Sequence, residues 1–187
     1  MLALRQEGEE MNKRTDIKSM TKTALCVAVL CAASFLVVPL PMTPVVLSMH
    51  TVAVNVTGLL LRPKKAALAI LLYLGMGVIG LPVFAGGTAG PDKLFGPFGG
   101  FYFGFLFAAI LISFLKGKTP SVLRHFLVTA LVGLPVQHLF AVLFFCFYNG
   151  FHLPSAFLAV SLPFLPGDLL KCALSVGICQ TVRKKGI

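Results

Sequence analysis

Two charged residues lie deep in the last apolar segment of the chain. Asp168 and Lys171 interrupt a hydrophobic stretch that extends from about residue 155 to residue 179. A charge at the centre of a membrane helix costs about 2.5–3.5 kcal/mol, and a spacing of three places both side chains on one helix face. Such a pair is either a structural ion pair that fixes helix packing or the polar part of a ligand site.

The residues just before this pair favour a ligand site. Pro163, Pro166 and Gly167 loosen the helix turn that precedes Asp168 and free its backbone polar groups. At membrane depth, such groups are tolerated only where they are buried in protein or line a cavity. Three more side chains that can form hydrogen bonds fall near the same helix face: Ser161, Cys172 and Ser175. We therefore expect a site for a polar ligand at Asp168 and Lys171.

Two segments of the sequence match nucleotide-binding motifs only in part. Residues 75–80, GMGVIG, have the spacing of a dinucleotide-binding loop, but they end an apolar helix and follow no predicted strand. Glycines at this spacing are more typical of close helix packing. Residues 117–119, GKT, lack the first glycine of a phosphate-binding loop, because Ile112 stands at that position. We expect no ATPase activity and no other enzymatic activity in this chain.

The four histidines and five cysteines form no pattern of metal ligands. No histidine has a second histidine four residues away, and no two cysteines have the spacing CxxC. We therefore predict neither a metal centre nor a cofactor. His125 and His152 lie at the ends of apolar segments, whereas His50 and His138 lie deeper, where each is either satisfied by a backbone carbonyl or lines a cavity.

The composition indicates that these residues are positioned inside a lipid bilayer. Of the 187 residues, 57% are hydrophobic and 12% are charged, about half the charged fraction of a typical soluble domain. Six apolar segments are each long enough to cross a bilayer as a helix. They cover about residues 23–38, 45–61, 66–80, 98–115, 125–147 and 155–179. The predicted fold class is all-α, a polytopic membrane protein with six transmembrane helices.

The distribution of positive charge predicts the topology. The net charge is +10, but all of the 16 Lys and Arg residues except Lys93 and Lys171 lie near the termini or in the loops after the second and fourth segments. Basic residues favour the cytoplasmic side, so both termini are expected there, and the charge does not indicate nucleic-acid binding. We predict a polar cytoplasmic segment (1–22) that is not a cleaved signal, a transmembrane domain (23–182) and a basic cytoplasmic tail (183–187).

A long loop on the outer side is a second candidate for ligand contact. Residues 81–97 are rich in Gly and Pro, and glycine allows a backbone to approach a ligand closely. The helix that follows offers free N–H groups and a positive dipole end for a carboxylate. The candidate ligand-binding residues in this region are Phe84, Gly86, Gly99, Gly100 and Phe101.

The first apolar segment carries a stripe of small residues. Ala24, Ala28 and Ala32 recur every four residues, and small residues at this spacing let another helix approach closely. The spacing alone does not decide whether that helix belongs to the same chain or to a partner protein.

Over about residues 23–171 the chain resembles the BioY family, the biotin-binding S components of energy-coupling-factor (ECF) transporters. The similarity is carried by four stretches in the same order: Pro39–Val45, Tyr73–Gly87, Gly96–Gly100 with Gly104–Phe105, and Pro163–Lys171. The sequence departs from the family pattern at four positions, one of which is Val46 in place of a frequent Pro. His50 stands where Gln is expected, and Phe98 and Phe101 stand where Thr and Tyr are expected.

The resemblance implies the six-helix S-component bundle in the bacterial cytoplasmic (inner) membrane, with biotin as the transported ligand. It implies that Asp168 and Lys171 belong to the biotin site and that the outer loops after the first and third spans cap the ligand. It also implies that Ala24, Ala28 and Ala32 dock against a T component. Two ABC-type ATPases would drive transport, although some members of the family act without a dedicated ECF module.

Biotin also suits the site expected from the residues alone. Asp168 can accept a hydrogen bond from a ureido N–H group, and Lys171 can donate to a ligand oxygen. Three alternatives stay open at this point: an S component for another vitamin such as riboflavin or thiamine, a stand-alone biotin carrier, and an intramembrane enzyme. The last would need a nucleophile–base pair or a metal set, and the sequence contains no evident one.

Overall fold

Helices make up most of the chain in the computed structural model, which describes residues 2–39, 46–117, 119 and 121–184. In chain order the elements are α1 (Leu2–Ala33), β1 (Val37–Pro39), β2 (Val46–Ser48), α2 (His50–Leu60), α3 (Pro63–Val78), α4 (Pro91–Phe95), α5 (Gly99–Leu115), α6 (Val122–Val128), α7 (Leu134–Asn149), α8 (Leu153–Val160) and α9 (Leu165–Lys184). A π-helical segment, Thr129–Gly133, joins α6 to α7.

A short antiparallel ribbon corrects the ends of the first two predicted spans. Strands β1 and β2 pair with Val37 opposite Ser48, so the fold is predominantly helical rather than all-α. Helix α1 ends at Ala33, because the β-branched Val37 and Val38 favour a strand and Pro39 cannot continue a helix. Most of the stretch Pro39–Val45, which carried part of the resemblance, lies outside the described residues, as does the loop after the first span. At its other end, α1 begins at Leu2, within the polar segment.

The helices differ in length from six uniform spans. In the part of the chain that the structure describes, one continuous helix, Val122–Asn149, is by itself long and apolar enough to cross a membrane. Helices α8 and α9 meet these criteria only as a pair, with a bend of 57° between them. Helix α2 has 11 residues, about 17 Å at 1.5 Å per residue, against a hydrocarbon core about 30 Å thick. The ribbon occupies residues that were expected to lengthen the first two spans.

Apolar side chains cover the outside of the bundle as well as most of its core, and several polar side chains are buried among them. Large hydrophobic side chains are exposed on the outer helix faces, for example Phe114 (68% exposed), Phe147 (93%) and Leu170 (74%). Polar side chains such as Asn55 and Gln137 are buried in the interior. Exposed apolar surface on this scale marks contact with lipid or with other proteins.

Helix α2 is enclosed by the other helices. Every residue from His50 to Leu59 is buried, and the helix packs against α1, α5 and α9. Its final carbonyl groups are capped by two basic side chains: Lys116 donates to the oxygens of Gly58 (3.0 Å) and Leu61, and Arg183 donates to the oxygen of Leu59 (2.9 Å). Burial, and to a lesser extent the nearby Arg183 charge, lowers the pKa of Lys116 to about 8. These hydrogen bonds hold the C-terminal end of α2 in place, and the first residues of α2 lie at the other end of the bundle.

Two glycines bring α5 and α7 into backbone contact. A Cβ atom added at Gly100 would collide with the carbonyl oxygen of Phe140, and one added at Gly104 would lie 2.9 Å from the Cα atom of Gln137. The spacing of four is that of small-residue helix contacts in membranes. This contact holds the α5 residues that follow Gly100 beside α7.

The glycines of the GMGVIG segment divide into two kinds. A Cβ atom at Gly77 would overlap the ring of Phe84, so the close contact at this position is with a loop residue and not with the helix that the spacing predicted. Gly75 faces open space, and Gly80 has a φ of +104°, a conformation that favours glycine.

This difference predicts the outcome of alanine substitutions. Gly100→Ala and Gly104→Ala should each lower the melting temperature of the purified protein, because a methyl group between two packed backbones costs about 1–3 kcal/mol. Gly75→Ala is the matched control within a helix and should be neutral or slightly stabilising, since alanine has the higher helix propensity. Equal melting temperatures for all three variants would show that the α5–α7 contact tolerates added volume.

Candidate ligand-binding site

A cavity of about 580 Å³ lies at the end of the bundle where α2 begins. This volume is in the range of pockets that hold small organic molecules. Its walls come from β2, the start of α2, the loops before α4 and α5, helices α4 and α5, the end of α7, and the region where α8 meets α9. Six aromatic side chains form much of the lining: Phe98, Phe101, Tyr102, Phe105, Tyr148 and Phe164.

Two pairs of opposite charges line this cavity at different depths. Asp92 and Lys93 of α4 are exposed. Asp168 and Lys171 of α9 are only 5% and 8% exposed. The uncharged polar side chains of the lining are Ser48, His50, Thr51 and Thr88. Because charge interactions are strongest where water is excluded, the buried pair dominates the electrostatics of the cavity.

The carboxylate of Asp168 has a donor on each oxygen. The Lys171 ammonium donates to Oδ1 over 2.8 Å, and the His138 ring nitrogen Nε2 lies 3.1 Å from Oδ2. An ionised carboxylate offers about four acceptor positions. Among the described residues Lys171 and His138 are its side-chain partners, which leaves one acceptor position on each oxygen for a donor in the cavity.

A break in the last predicted span places this carboxylate. Helix α8 ends at Val160 and α9 begins at Leu165, which confirms the expected loosening before Asp168. Pro166 and Gly167 lie inside the first turn of α9, where a proline costs no hydrogen bond. Asp168 is therefore in the first turn of a helix rather than in mid-span, and the positive end of the helix dipole stabilises its charge.

The opposite wall of the cavity contains His50. Its side chain is fully buried, with Nε2 2.8 Å from the Tyr73 hydroxyl and Nδ1 3.3 Å from Ser48 Oγ. The ring stacks on Phe105 at a centroid distance of 5.8 Å. His50 meets both expectations, because it lines the cavity and its ring also has the backbone of Val83 as a hydrogen-bond partner.

The loop before α4 is tied to the bundle by Phe84. This side chain is fully buried between Tyr73 and Tyr102, with ring centroids 5.9 Å and 4.5 Å away. The Ala85 N–H donates to the Tyr102 hydroxyl (3.3 Å), and the Gly86 N–H donates to the carbonyl of Ser34 (2.8 Å). These contacts hold Ala85 and Thr88 of the loop at the cavity.

The structure places the seven predicted ligand-binding residues in two groups. Asp168, Lys171 and Phe101 line the cavity. The other four surround it without lining it: Phe84 and Gly86 in the loop, Gly99 against the end of α4 and Gly100 against α7. Ala24, Ala28 and Ala32 are all exposed on α1, so the small-residue stripe lies on the outer surface of the bundle.

Several lining residues were not among the predicted site residues. Among them, Phe98, Tyr102 and Phe105 recur at helical spacing with the predicted Phe101, which is a sequence signal for one aromatic face at the start of α5. Tyr148 carries no such signal. His138 does not line the cavity but contacts Asp168 from behind, a relation between residues 30 positions apart that spacing does not reveal.

A bundle of helices with apolar outer faces, buried charged and polar side chains and an internal cavity is typical of a helical membrane protein. Comparison with known proteins then gives the family. The model of the BioY family matches residues 10–186, and the chain belongs to this family. The family consists of transporter proteins rather than enzymes, which confirms that expectation.

Individual relatives agree with this assignment. The chain is 28% identical over 182 residues to the biotin transporter BioY of Lactococcus lactis subsp. cremoris, covering 94% of this chain and 96% of the relative. It is 34% identical over 140 residues to the probable biotin transporter BioY of Pyrococcus horikoshii, covering 75% and 82%. Among solved structures, the S-component for biotin from an ECF-type ABC transporter is similar with a TM-score of 0.85 and 28% identity, covering 91% of this chain and 93% of that one.

Proposed function

We propose that this chain is the biotin-binding membrane subunit of an ECF-type transporter and that biotin binds in the cavity at Asp168 and Lys171. The observation that carries the proposal is the buried ion pair at one end of an aromatic cavity, in a chain of the BioY family. No cofactor is required, because biotin is the transported ligand.

The chemistry of the cavity supports this ligand. Biotin has an apolar bicycle and a pentanoic acid chain, which suit the aromatic lining. Its ureido ring offers two N–H donors and one carbonyl acceptor. A free acceptor position on Asp168 can take one N–H group, and Lys171 can donate a second hydrogen bond to the ureido oxygen or to the carboxylate. Charge-assisted hydrogen bonds of this kind are the stronger ones in proteins.

The two ends of the bundle support a membrane orientation. The cavity with Asp92 and Lys93 lies at the start of α2, and Lys116 and Arg183 cap the end of α2. Basic residues favour the cytoplasmic side. The cavity therefore opens toward the outer side of a bacterial cytoplasmic membrane. In this orientation residues 23–182 form the domain of six membrane segments, and residues 1–22 and 183–187 lie on the cytoplasmic side.

The position of the alanine stripe supports docking of a partner. Ala24, Ala28 and Ala32 lie on an exposed face of α1, where no helix of this chain covers them among the residues described. Small residues there leave room for a close helix contact. The partner is the T component, which connects this subunit to two ABC-type ATPases that hydrolyse ATP.

Substitutions at the ion pair test the ligand site. Asp168→Asn should weaken biotin binding about 10- to 150-fold, because a hydrogen bond to a charged group contributes about 1.5–3 kcal/mol. Lys171→Met should also weaken it, since it leaves a buried carboxylate without its countercharge. The double variant should lose less than the sum of the two. Isothermal titration with biotin, and with riboflavin and thiamine as competitors, measures each affinity.

The melting temperature of the ligand-free protein is the control for this series. A structural ion pair alone would lower the stability of each variant and leave the affinity of the folded protein intact. Both single variants binding biotin as tightly as the wild type would place the ligand elsewhere. Riboflavin or thiamine displacing biotin at equal concentration would reject biotin as the ligand.

A bulky residue in the alanine stripe tests the docking surface. Ala28→Leu should reduce co-purification with a T component and leave biotin affinity unchanged, because the added side chain keeps the two helices apart. Ala173→Leu, at an exposed alanine of α9, is the matched control and should assemble normally. Normal assembly of Ala28→Leu, or equal loss in both variants, would remove the stripe from the interface.

A further inference from the structure

His138 joins the buried carboxylate of Asp168 to the break in the last predicted span. Its Nε2 lies 3.1 Å from Asp168 Oδ2, and its Nδ1 lies 3.0 Å from the hydroxyl oxygen of Ser161. All three side chains are buried, with exposures of 5%, 5% and 0%. Neither His138 nor Ser161 lines the cavity, so the two stand behind Asp168 rather than beside a ligand.

The direction of these hydrogen bonds follows from the acceptor chemistry. The Asp168 carboxylate, paired with the Lys171 ammonium, only accepts hydrogen bonds. His138 therefore donates from Nε2 to Oδ2, and in the neutral ring the lone pair lies on Nδ1. The Ser161 hydroxyl donates to that lone pair. A single relay thus runs from Ser161 through His138 to Asp168, and it fixes one tautomer of the ring.

Each end of the relay is anchored in a different element. The main-chain carbonyl of Ser161 accepts from the N–H groups of Phe164 (3.0 Å) and Leu165 (3.3 Å), so this residue forms the turn that starts α9. The His138 ring meets the edge of the Phe101 ring at a centroid distance of 5.9 Å. Helix α7, which carries His138, is held against α5 by the glycine contacts described above.

We propose that His138 is a positioning residue that fixes the plane of the Asp168 carboxylate. The Lys171 contact holds one oxygen and leaves rotation of the carboxylate plane free. A second hydrogen bond to the other oxygen removes that freedom and directs the remaining acceptor positions into the cavity. Supporting hydrogen bonds of this kind set how well a site is preorganised. The inference rests on the proposed function, because it assigns His138 a role in biotin affinity.

Three substitutions of His138 separate this role from packing. His138→Phe keeps a ring against Phe101 and removes both hydrogen bonds, and it should weaken biotin binding about tenfold, equivalent to about 1.4 kcal/mol. His138→Gln extends an amide N–H toward the position of Nε2 and should recover most of the affinity. His138→Asn is shorter, reaches only toward Ser161 and should not recover it. Titration calorimetry on the purified full chain measures the three affinities.

A double-variant cycle supplies the decisive comparison. His138→Phe should weaken binding in the wild-type background and have little further effect when combined with Asp168→Asn, because the carboxylate it orients is then absent. Ser161→Ala is the milder second variant, and it should weaken binding in the wild type but not in His138→Phe. It keeps the test informative if His138→Phe does not fold.

The outcomes distinguish this inference from the proposed function. Equal losses from His138→Phe with and without Asp168→Asn would show a packing role and overturn the relay. A strong effect of Asp168→Asn with none from His138→Phe or Ser161→Ala would overturn the relay alone. Unchanged biotin affinity in Asp168→Asn would overturn the placement of the ligand and the relay with it.

Discussion

The Lys171 ammonium lies 2.8 Å from the Asp168 carboxylate, and both side chains are buried in a bundle that is otherwise largely apolar. The groups around the pair offset the free-energy cost of burying these charges. Removing an ion from water costs several kcal/mol even after relaxation, and a buried pair recovers this only with good geometry and further hydrogen bonds. Here the carboxylate accepts hydrogen bonds from the Lys171 ammonium and the His138 ring, and the positive end of the α9 dipole also stabilises its charge. Its acceptor positions are still not all occupied, which makes the pair suited to a polar ligand.

Other features of the fold serve this arrangement. Because the last predicted span breaks between α8 and α9, the first turn of α9 lies beside the cavity. Gly100 and Gly104 let α5 approach α7, which brings Phe101 against His138. Caps from Lys116 and Arg183 fix the far end of α2 and so the position of His50. Several polar side chains, among them Asn55 and Gln137, are buried in the bundle, whereas large hydrophobic side chains are exposed on its outer faces.

Local spacing predicted the parts of the site that lie within one element. A separation of three placed Asp168 and Lys171 on one helix face, and the two prolines and Gly167 indicated the break before them. Contacts between residues that are distant in the sequence could not be predicted in this way, because the spacing within one segment does not indicate which other segment packs against it. The His138–Asp168 hydrogen bond and the position of Phe84 between two tyrosines belong to this class. The β-ribbon was missed because Val37 and Val38 extend an apolar run whose period does not separate strand from helix.

The most direct test of the ligand site is an experimental structure of the purified protein with biotin bound. The ureido ring should lie at the buried end of the cavity, with one of its nitrogens about 2.7–3.2 Å from a carboxylate oxygen of Asp168 and Lys171 donating to a ligand oxygen. Biotin seated at Asp92 and Lys93, with no polar atom within hydrogen-bond distance of Asp168 or Lys171, would contradict the assignment of the buried pair to ligand binding.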